Sequence, residues 1–317
     1  MLICHNRGVV TEINRNLAAT LKLCGPAVLT PGQSTQSTPL EQITALLLLI
    51  LQKQHPCQKD ADDLDEEAEP AMDEETAEYD WLIVETALEV VSSLAIALGD
   101  QFGELWKIFD KPIMQYASSQ ERFERSSAVG TVGECVQAMG AASTPYTKRM
   151  MTMFVKRLGD EDPEVKSNAC FGTGMLCEKS TDAKEVLSNY GTIFSKLEPL
   201  LDASTAVAGK DDPHARLLDN AAGCVGRMVQ RSPQSVPLED VLPRLVELLP
   251  LKEDFDENEP VFEMVVGLYQ QRNGVVQGLT GQLMPVFEKV LGPPEEQLSE
   301  EMRGKVGQLV EYIRGQQ

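Results

Sequence analysis

Hydrophobic residues recur along most of this chain at the spacing of an amphipathic α-helix. Met150, Phe154 and Leu158, for example, follow one another at intervals of four residues, which places them on one face of a helix. No segment has the convincing alternation of apolar and polar residues that a half-buried strand shows. Aromatic residues, which strands favour, make up only 5% of the chain. The pattern therefore predicts an all-α fold.

Prolines inside the apolar helical segments recur at a nearly constant interval. The four are Pro112, Pro199, Pro243 and Pro285, and they are 87, 44 and 42 residues apart. Because the first interval is about twice the others, we expect one repeat without this proline, with its first helix at Tyr146–Leu158. A proline inside a helix removes one backbone hydrogen bond and kinks the helix. Kinks at this interval indicate a repeated unit of about 43 residues.

A second signature marks the start of the other helix in these units, where an acidic residue directly precedes a proline. It occurs at Asp162-Pro163, Asp212-Pro213 and Glu259-Pro260. Proline fits the first turn of a helix, and an acid is favourable at the positive end of the helix dipole. Two helices in about 43 residues is the size of a HEAT repeat.

The two signatures together divide the chain into helical hairpins. We predict six hairpins and a partial N-terminal one at 1–25, with the pairs at 39–98, 102–140, 145–180, 184–231, 237–274 and 278–316. Such hairpins stack on their neighbours. The sequence therefore predicts a single HEAT-repeat α-solenoid domain over residues 1–317.

Charge is unevenly distributed along the chain. There are 49 acidic residues against 28 basic ones, a net charge of −21, which favours basic partners and disfavours direct binding of nucleic acid. Residues 60–80 hold twelve of the acids and no base. A block of this kind cannot bury a core, so we expect an acidic insertion at 60–80 that is flexible or disordered. It is either a solubilising linker or a polyanion that engages basic cargo.

Motifs for catalysis, cofactors and membranes are missing from the sequence. It has no phosphate-binding loop, nucleophile elbow, dinucleotide fingerprint or zinc-protease motif. The seven cysteines include no CxxC pair, and His55 with Cys57 gives too few ligands for a zinc site. The most apolar run, 43–51, is too short to span a membrane. We therefore expect no enzyme activity, no cofactor, no metal and no membrane partner.

HEAT hairpins with a proline in the first helix, an acid–proline start and an acidic insertion resemble the importin-β (karyopherin-β) family of nuclear transport receptors. The most specific segment is LPLKEDFDENEPVF at 249–262, within a closer match over 249–270. This segment resembles the C-terminal part of the importin four class. Since receptors of this family are much longer than this chain, we expect a C-terminal region of such a receptor.

The resemblance carries implications for partners and location. It implies that the chain binds lysine-rich segments of cargo such as histone H3/H4 tails or ribosomal proteins, with a histone chaperone as a further partner. It implies binding of the Ran GTPase by the full-length receptor, mainly through N-terminal repeats outside this chain. A receptor of this kind shuttles between cytoplasm and nucleus.

In this family the second helices line a concave surface that binds extended basic segments. Carboxylates can bind lysine or arginine side chains, and asparagine can pair with the backbone of an extended peptide. The candidate cargo-binding residues are Glu134, Asn168, Asp219, Asn220, Asp256, Glu257 and Glu259. Each also has a structural interpretation, since an asparagine can bond to the preceding helical turn and an acidic run can be a solvated, helix-capping turn. Trp106 and Tyr269 can supply cation–π contacts, although a lone aromatic in a repeat is usually core.

The sequence leaves a second function open. A HEAT scaffold that organises another protein complex, such as a phosphatase regulatory subunit, has the same repeat pattern. The two differ in their ligands, because an import receptor prefers short lysine-rich peptides and a scaffold binds folded subunits.

Overall fold

The computed structural model describes residues 4–31, 37–58, 74–202, 213–293 and 297–316, with the backbone alone at 74–80 and 213. These residues contain fifteen α-helices and no strand. The helices are α1 Arg7–Cys24, α2 Pro39–Leu51, α3 Glu74–Leu98, α4 Phe102–Tyr116, α5 Arg122–Met139, α6 Thr147–Arg157, α7 Pro163–Lys179, α8 Ala183–Ser188, α9 Tyr190–Leu197, α10 Pro213–Arg231, α11 Leu238–Leu248, α12 Asn258–Gln270, α13 Gly274–Gly278, α14 Thr280–Leu291 and α15 Glu300–Gln316.

Within the described residues, six helical hairpins follow one another, as the repeat pattern predicted. The second helices of these hairpins are α3, α5, α7, α10, α12 and α15, and α1 precedes the first hairpin. In two hairpins the first helix is split, into α8 with α9 and α13 with α14. The predicted fold class, an all-α solenoid of HEAT type, is confirmed.

The chain divides into two compact units, residues 1–143 and 144–317. In the first unit α3 packs against both α1 and α5, and in the second unit α7, α10, α12 and α15 pack in that order. The second helices of consecutive hairpins thus form one continuous layer within each unit. The single domain over residues 1–317 stays a prediction.

The predicted acidic insertion falls largely outside the described residues. Residues 60–73 are not described, and α3 begins at Glu74, so residues 74–80 form its first turns. The flexible or disordered state predicted for the insertion stays a prediction.

The acid–proline start of α7 has the expected geometry, whereas Asp212 lies outside the described residues and α12 begins at Asn258, one residue before Glu259. Asp162 caps α7, because its carboxylate accepts hydrogen bonds from the backbone N–H groups of Glu164 and Val165 at 2.9 and 3.1 Å, and Pro163 is the first helical residue. Pro213 is likewise the first residue of α10, and Pro260 lies in the first turn of α12. Proline is tolerated at these positions because a backbone N–H group in the first turn would have no acceptor within the helix.

Three of the four periodic prolines lie inside first helices, namely Pro112 in α4, Pro243 in α11 and Pro285 in α14. The expectation for the fourth was wrong in detail. Helix α9 ends at Leu197, and Pro199 lies in the 3-10 turn Glu198–Leu201 that follows it. Proline has no N–H to extend the α-helical ladder, so the helix changes to a tighter turn there.

The helical stretch Trp81–Tyr116 is long and apolar enough to cross a membrane by composition, and 61% of its most apolar window is buried inside the protein. The stretch comprises most of α3, the short turn Gly99–Gln101 and all of α4. Trp106, in the α4 part of the stretch, has no exposed surface. Such a largely buried stretch is typical of the core helices of a water-soluble fold.

The second helices of the unit 144–317 approach one another closely at glycine positions. A Cβ atom on Gly226 of α10 would lie 2.7 Å from the carbonyl oxygen of Pro260 and 3.1 Å from the nitrogen of Val261. A Cβ on Gly174 of α7 would lie 3.0 Å from the Cα of Cys224 in α10. The backbones of α7, α10 and α12 therefore pack at distances that exclude larger residues at these two positions.

We expect Gly226→Ala to lower the free energy of unfolding by about 1–3 kcal/mol, because the added methyl group meets backbone atoms of α12 that cannot rotate away. The matched control is Gly304→Ala in α15, where no neighbouring atom lies within 4 Å. The control is expected to be neutral, or to stabilise by up to about 1 kcal/mol through the better helix propensity of alanine. Urea unfolding followed by circular dichroism measures both, and equal stability of the two variants would contradict the close-packing account.

Candidate functional site

The candidate residues that the structure brings together surround residues 249–257, the segment between α11 and α12, which we call the α11–α12 loop. The loop ends in the 3-10 turn Phe255–Glu257, directly before α12. Its acidic residues are Glu253, Asp254, Asp256 and Glu257. Helix α10 packs against this segment and supplies Asp219 and Asn220.

Asp219 anchors the first half of the α11–α12 loop. Only 3% of this residue is exposed, and its carboxylate accepts hydrogen bonds from the backbone N–H groups of Lys252, Glu253 and Asp254 at 3.1, 2.7 and 2.8 Å. Burial raises the pKa of Asp219, although the three N–H donors act in the opposite direction. The carboxylate satisfies three backbone donors that no helix or sheet would satisfy, so it fixes the path of the loop.

Asn220, the next residue on α10, is also buried, with 2% of its surface exposed. Its Nδ2 group donates to the carbonyl oxygen of Arg216 at 3.0 Å and to the Asp254 carboxylate at 3.1 Å. The first of these is a bond to the preceding helical turn, as the structural interpretation of this residue predicted. The second joins α10 to the loop.

Glu257 is the most buried acid of the loop and pairs with Arg227 of α10. The two side chains are 2% and 6% exposed. Two nitrogens of the guanidinium bind the two oxygens of Glu257, with Nη2 and Oε1 3.1 Å apart, and Arg227 Nε donates to Glu178 of α7 at 3.1 Å. Burial raises the pKa of Glu257, and the Arg227 cation acts against that rise. One guanidinium therefore connects α7, α10 and the loop.

Gly223 provides the space for the Glu257 carboxylate. A Cβ atom at this position of α10 would overlap Oε2 of Glu257. The glycine lies one helical turn before Arg227, so the two residues present a gap and a cation on the same face of α10. Gly223 thus makes room for a buried carboxylate between α10 and the loop.

Four acids of this region have accessible side chains. Glu253 is exposed and Asp254 is half-buried. Asp256 is exposed and Glu259 is half-buried. Between them lies Asn258, which is fully buried and donates to the carbonyl oxygen of Gln297 at 2.9 Å. Asp256 and Glu259 therefore lie on either side of a residue that is fixed in the interior.

The remaining candidates lie elsewhere. Asn168 is half-buried on α7, which packs against α10. Glu134 is exposed on α5, which belongs to the unit 1–143, whereas the other candidates belong to the unit 144–317. Trp106 is fully buried, and Tyr269 is 7% exposed with its hydroxyl bonded to Thr280 at 2.6 Å. The last two are core residues, as expected for lone aromatics in a repeat.

Among the described residues, no group of three or more histidine, cysteine, aspartate or glutamate side chains is arranged to bind a metal ion. His55 and Cys57 do lie side by side in the interior, with Nδ1 2.9 Å from Sγ. Burial lowers the pKa of His55, which favours its neutral form. The pair packs within the unit 1–143.

Arg227 and Glu178 were not among the residues predicted from the sequence. Arg227 binds both Glu178, which is 49 residues away along the chain, and Glu257, which is 30 residues away. The signal in the sequence is an arginine in the middle of a helix, one turn after a glycine, among small and apolar residues. An arginine in such a position requires an anionic partner from another element.

Comparison with known proteins places the chain in a family. Residues 41–176 match the family described as importin subunit beta-1-like, TPR repeats. The chain is 35% identical over 279 residues to the probable importin subunit beta-4 of Schizosaccharomyces pombe, an alignment that covers 87% of this chain and 25% of that relative. The chain belongs to the importin-β family.

A second relative agrees with this assignment, and the resemblance found in the sequence is confirmed. Human importin-4 is 31% identical over 298 residues, which are 92% of this chain and 26% of that protein. This importin-β family chain thus spans about a quarter of the length of these two relatives.

Two solved structures resemble the chain in fold. A crystal structure of importin beta matches with a TM-score of 0.59 at 13% identity, over 96% of this chain and 42% of that one. A structure that describes Kap95p binding to RanGDP matches with a TM-score of 0.51 at 14% identity, over 97% of this chain and 34% of that one. At these identities the likeness supports the importin-β fold alone.

We expect Arg227→Met to lower the free energy of unfolding by about 3–5 kcal/mol, because it leaves Glu257 buried without its cation. Adding Glu257→Gln removes the unpaired charge and is expected to recover most of the loss. Urea unfolding of wild type, single and double variants measures the difference. If the single and double variants were equally unstable, the unpaired charge would not be the cause.

Burial raises the pKa of Glu257 above its ordinary value of 4.5 in the folded chain. Between 4.5 and the raised value the folded state binds more protons than the unfolded state, so the contribution of Glu257 to stability falls as pH rises. Glutamine resembles the protonated acid at every pH. We therefore expect wild type to lose stability relative to Glu257→Gln as the pH rises above 4.5, as measured by urea midpoints, and a constant difference would contradict the raised pKa.

Proposed function

We propose that this chain is a cargo-binding region of a nuclear import receptor. The observation that carries the proposal is the α11–α12 loop, where a buried frame presents accessible carboxylates at the start of α12. Carboxylates in this position can bind the lysine side chains of an extended segment. The names of the importin relatives support a role in transport, and we propose lysine-rich segments of histones H3 and H4 or of ribosomal proteins as the cargo.

Two roles divide the candidate residues in this proposal. Glu134, Asn168, Asp256 and Glu259 are proposed to contact cargo. Asp219, Asn220 and Glu257 are proposed to act on cargo indirectly, because their polar atoms already bind Arg227 or the backbone and side chains of the loop. A buried carboxylate with several internal donors exchanges them for a ligand only at a large cost in desolvation.

The energy of binding has to come from several contacts. An exposed ion pair is worth about 0–1 kcal/mol, whereas micromolar affinity requires about 8 kcal/mol. The chain's net charge of −21 attracts basic segments, but exposed charges act over only about 8 Å at physiological salt. We therefore propose distributed contacts along the second helices and binding that weakens as salt increases.

The proposal extends to the partners of a longer receptor. The solved structure of Kap95p is described with RanGDP, and we propose that a full-length receptor containing this region uses Ran to release cargo, mainly through repeats outside this chain. Such a receptor would shuttle between cytoplasm and nucleus, with a histone chaperone as an additional partner. No catalytic step is assigned to this chain.

We expect the chain to bind a fluorescent peptide of the histone H3 N-terminal tail saturably in an anisotropy assay, more weakly at 300 mM than at 50 mM salt. The double variant Asp256→Asn/Glu259→Gln is expected to weaken binding at low salt by about 5- to 10-fold, since it removes two ion pairs. The matched control, Glu239→Gln/Asp240→Asn, removes two exposed acids from the start of the first helix α11. It is expected to change affinity by less than about twofold, because these acids lie on another helix layer.

If the two double variants weakened peptide binding equally, the binding would reflect general attraction to negative charge and not contact with Asp256 and Glu259. Binding no tighter than that of a scrambled neutral peptide would contradict the proposed function. If the chain instead retained folded subunits of another complex with no preference for basic peptides, the scaffold function would replace it.

A further inference from the structure

Arg227 occupies a position from which it controls the α11–α12 loop. It binds Glu257 with two guanidinium nitrogens and Glu178 with the third. The guanidinium carbon also lies 5.9 Å from the centre of the Phe171 ring of α7. With 6% of its side chain exposed, Arg227 is not itself a surface group, so any effect it has on a ligand must act through the residues that it holds.

The loop is fixed at both ends by α10. Asp219 binds the backbone N–H groups of residues 252–254, and Arg227 binds the side chain of residue 257. Only Phe255 and Asp256 lie between these two attachments. The position of the exposed Asp256 is therefore set from both sides, and the Arg227 attachment is the nearer one.

The attachment depends on the shape of the guanidinium as well as on its charge. Arginine presents a planar fork that can bind two oxygens of one carboxylate and still reach another acceptor through Nε. A lysine at the same position keeps the charge but offers one ammonium group, which cannot reproduce this geometry. Gly223 supplies the room in which the fork and the Glu257 carboxylate meet.

Arg227 also decides which carboxylates remain for a ligand. It pairs with the buried Glu257 and with Glu178, whose side chain is 40% exposed and also pairs with Lys179. Asp256 and Glu259 have no such contact with Arg227 among its described hydrogen bonds and ion pairs. Basic groups that approach this face therefore meet the acids that the loop presents, while Glu257 stays inside.

We propose that Arg227 is a positioning residue for the recognition of basic segments, which holds the α11–α12 loop so that Asp256 faces the ligand in a fixed place. This inference rests on the proposed function. Arg227 does not touch the ligand, and its effect requires Glu257 as the intermediate. The guanidinium, and not merely a positive charge at residue 227, is the required group.

The test is a double-mutant cycle on the binding of the histone H3 tail peptide, with wild type, Arg227→Lys, Asp256→Asn and the double variant. We expect Arg227→Lys to weaken binding by about fivefold without changing net charge. Asp256→Asn is expected to weaken binding by about three- to fivefold in wild type and by less than about 1.5-fold in the Arg227→Lys background, because the acid is no longer held in place. A merely structural role of Arg227 would leave the effect of Asp256→Asn unchanged.

Hydrogen exchange provides a second readout that does not depend on the peptide. Backbone amides of residues 252–258 are expected to exchange faster in Arg227→Lys, while those of α14 keep their wild-type rates. The matched control is Arg244→Lys on α11, where the arginine forms an exposed pair with Glu198. It is expected to change neither the exchange rates nor the affinity. If Arg227→Lys does not fold, Arg227→Met/Glu257→Gln replaces it, since that variant has the same net charge and leaves no buried carboxylate unpaired.

The outcomes separate this inference from the proposed function. An undiminished effect of Asp256→Asn in the Arg227→Lys background would overturn the positioning role and leave the proposed function in place. The absence of any Asp256→Asn effect in wild type would overturn the contact of Asp256 with the ligand and the positioning role that depends on it. Binding of the H3 peptide no tighter than that of a scrambled neutral peptide would overturn the proposed function. In that case unchanged exchange at 252–258 would overturn the positioning role as well, and faster exchange would support Arg227 as the residue that holds the loop.

Discussion

Close backbone contact between consecutive second helices is the constraint on which the rest of the unit 144–317 depends. Glycine at positions 174, 223 and 226 lets α7, α10 and the start of α12 approach until side chains have little room between them. Any charge in this layer is then removed from water and needs an internal partner. The burial of Arg227, Glu257 and Asp219 follows from this packing, and their hydrogen bonds make it possible.

The same packing separates two kinds of acidic residue that look alike in the sequence. Asp219 and Glu257 are buried and bind the chain's own donors, whereas Asp256 is exposed one residue before Glu257. Buried carboxylates give the loop a defined path at a cost in desolvation. Exposed carboxylates keep their hydration and exchange it for a ligand cation more easily. A recognition surface of this kind therefore needs both, one set to hold the backbone and one set to meet the ligand.

Much of the fold was predictable because its signals are short-range. One signal is the proline in the first turn of α7, directly after the capping Asp162. Another is the proline inside each of α4, α11 and α14. Each proline affects only the backbone within one or two helical turns, so its effect does not depend on which other helices pack nearby. The exception, Pro199, lies where α9 changes to a 3-10 turn.

The sequence by itself determined the helical hairpins, their period, the excess of negative charge and the concentration of acids at 253–259. Periodicity and net charge are properties of the chain that need no knowledge of which helices meet. Only the tertiary structure decided which of those acids is a surface group and which is an internal ligand of Arg227. That distinction arises between residues 30 and 49 positions apart, which meet only because glycine lets α7, α10 and the loop before α12 pack in contact.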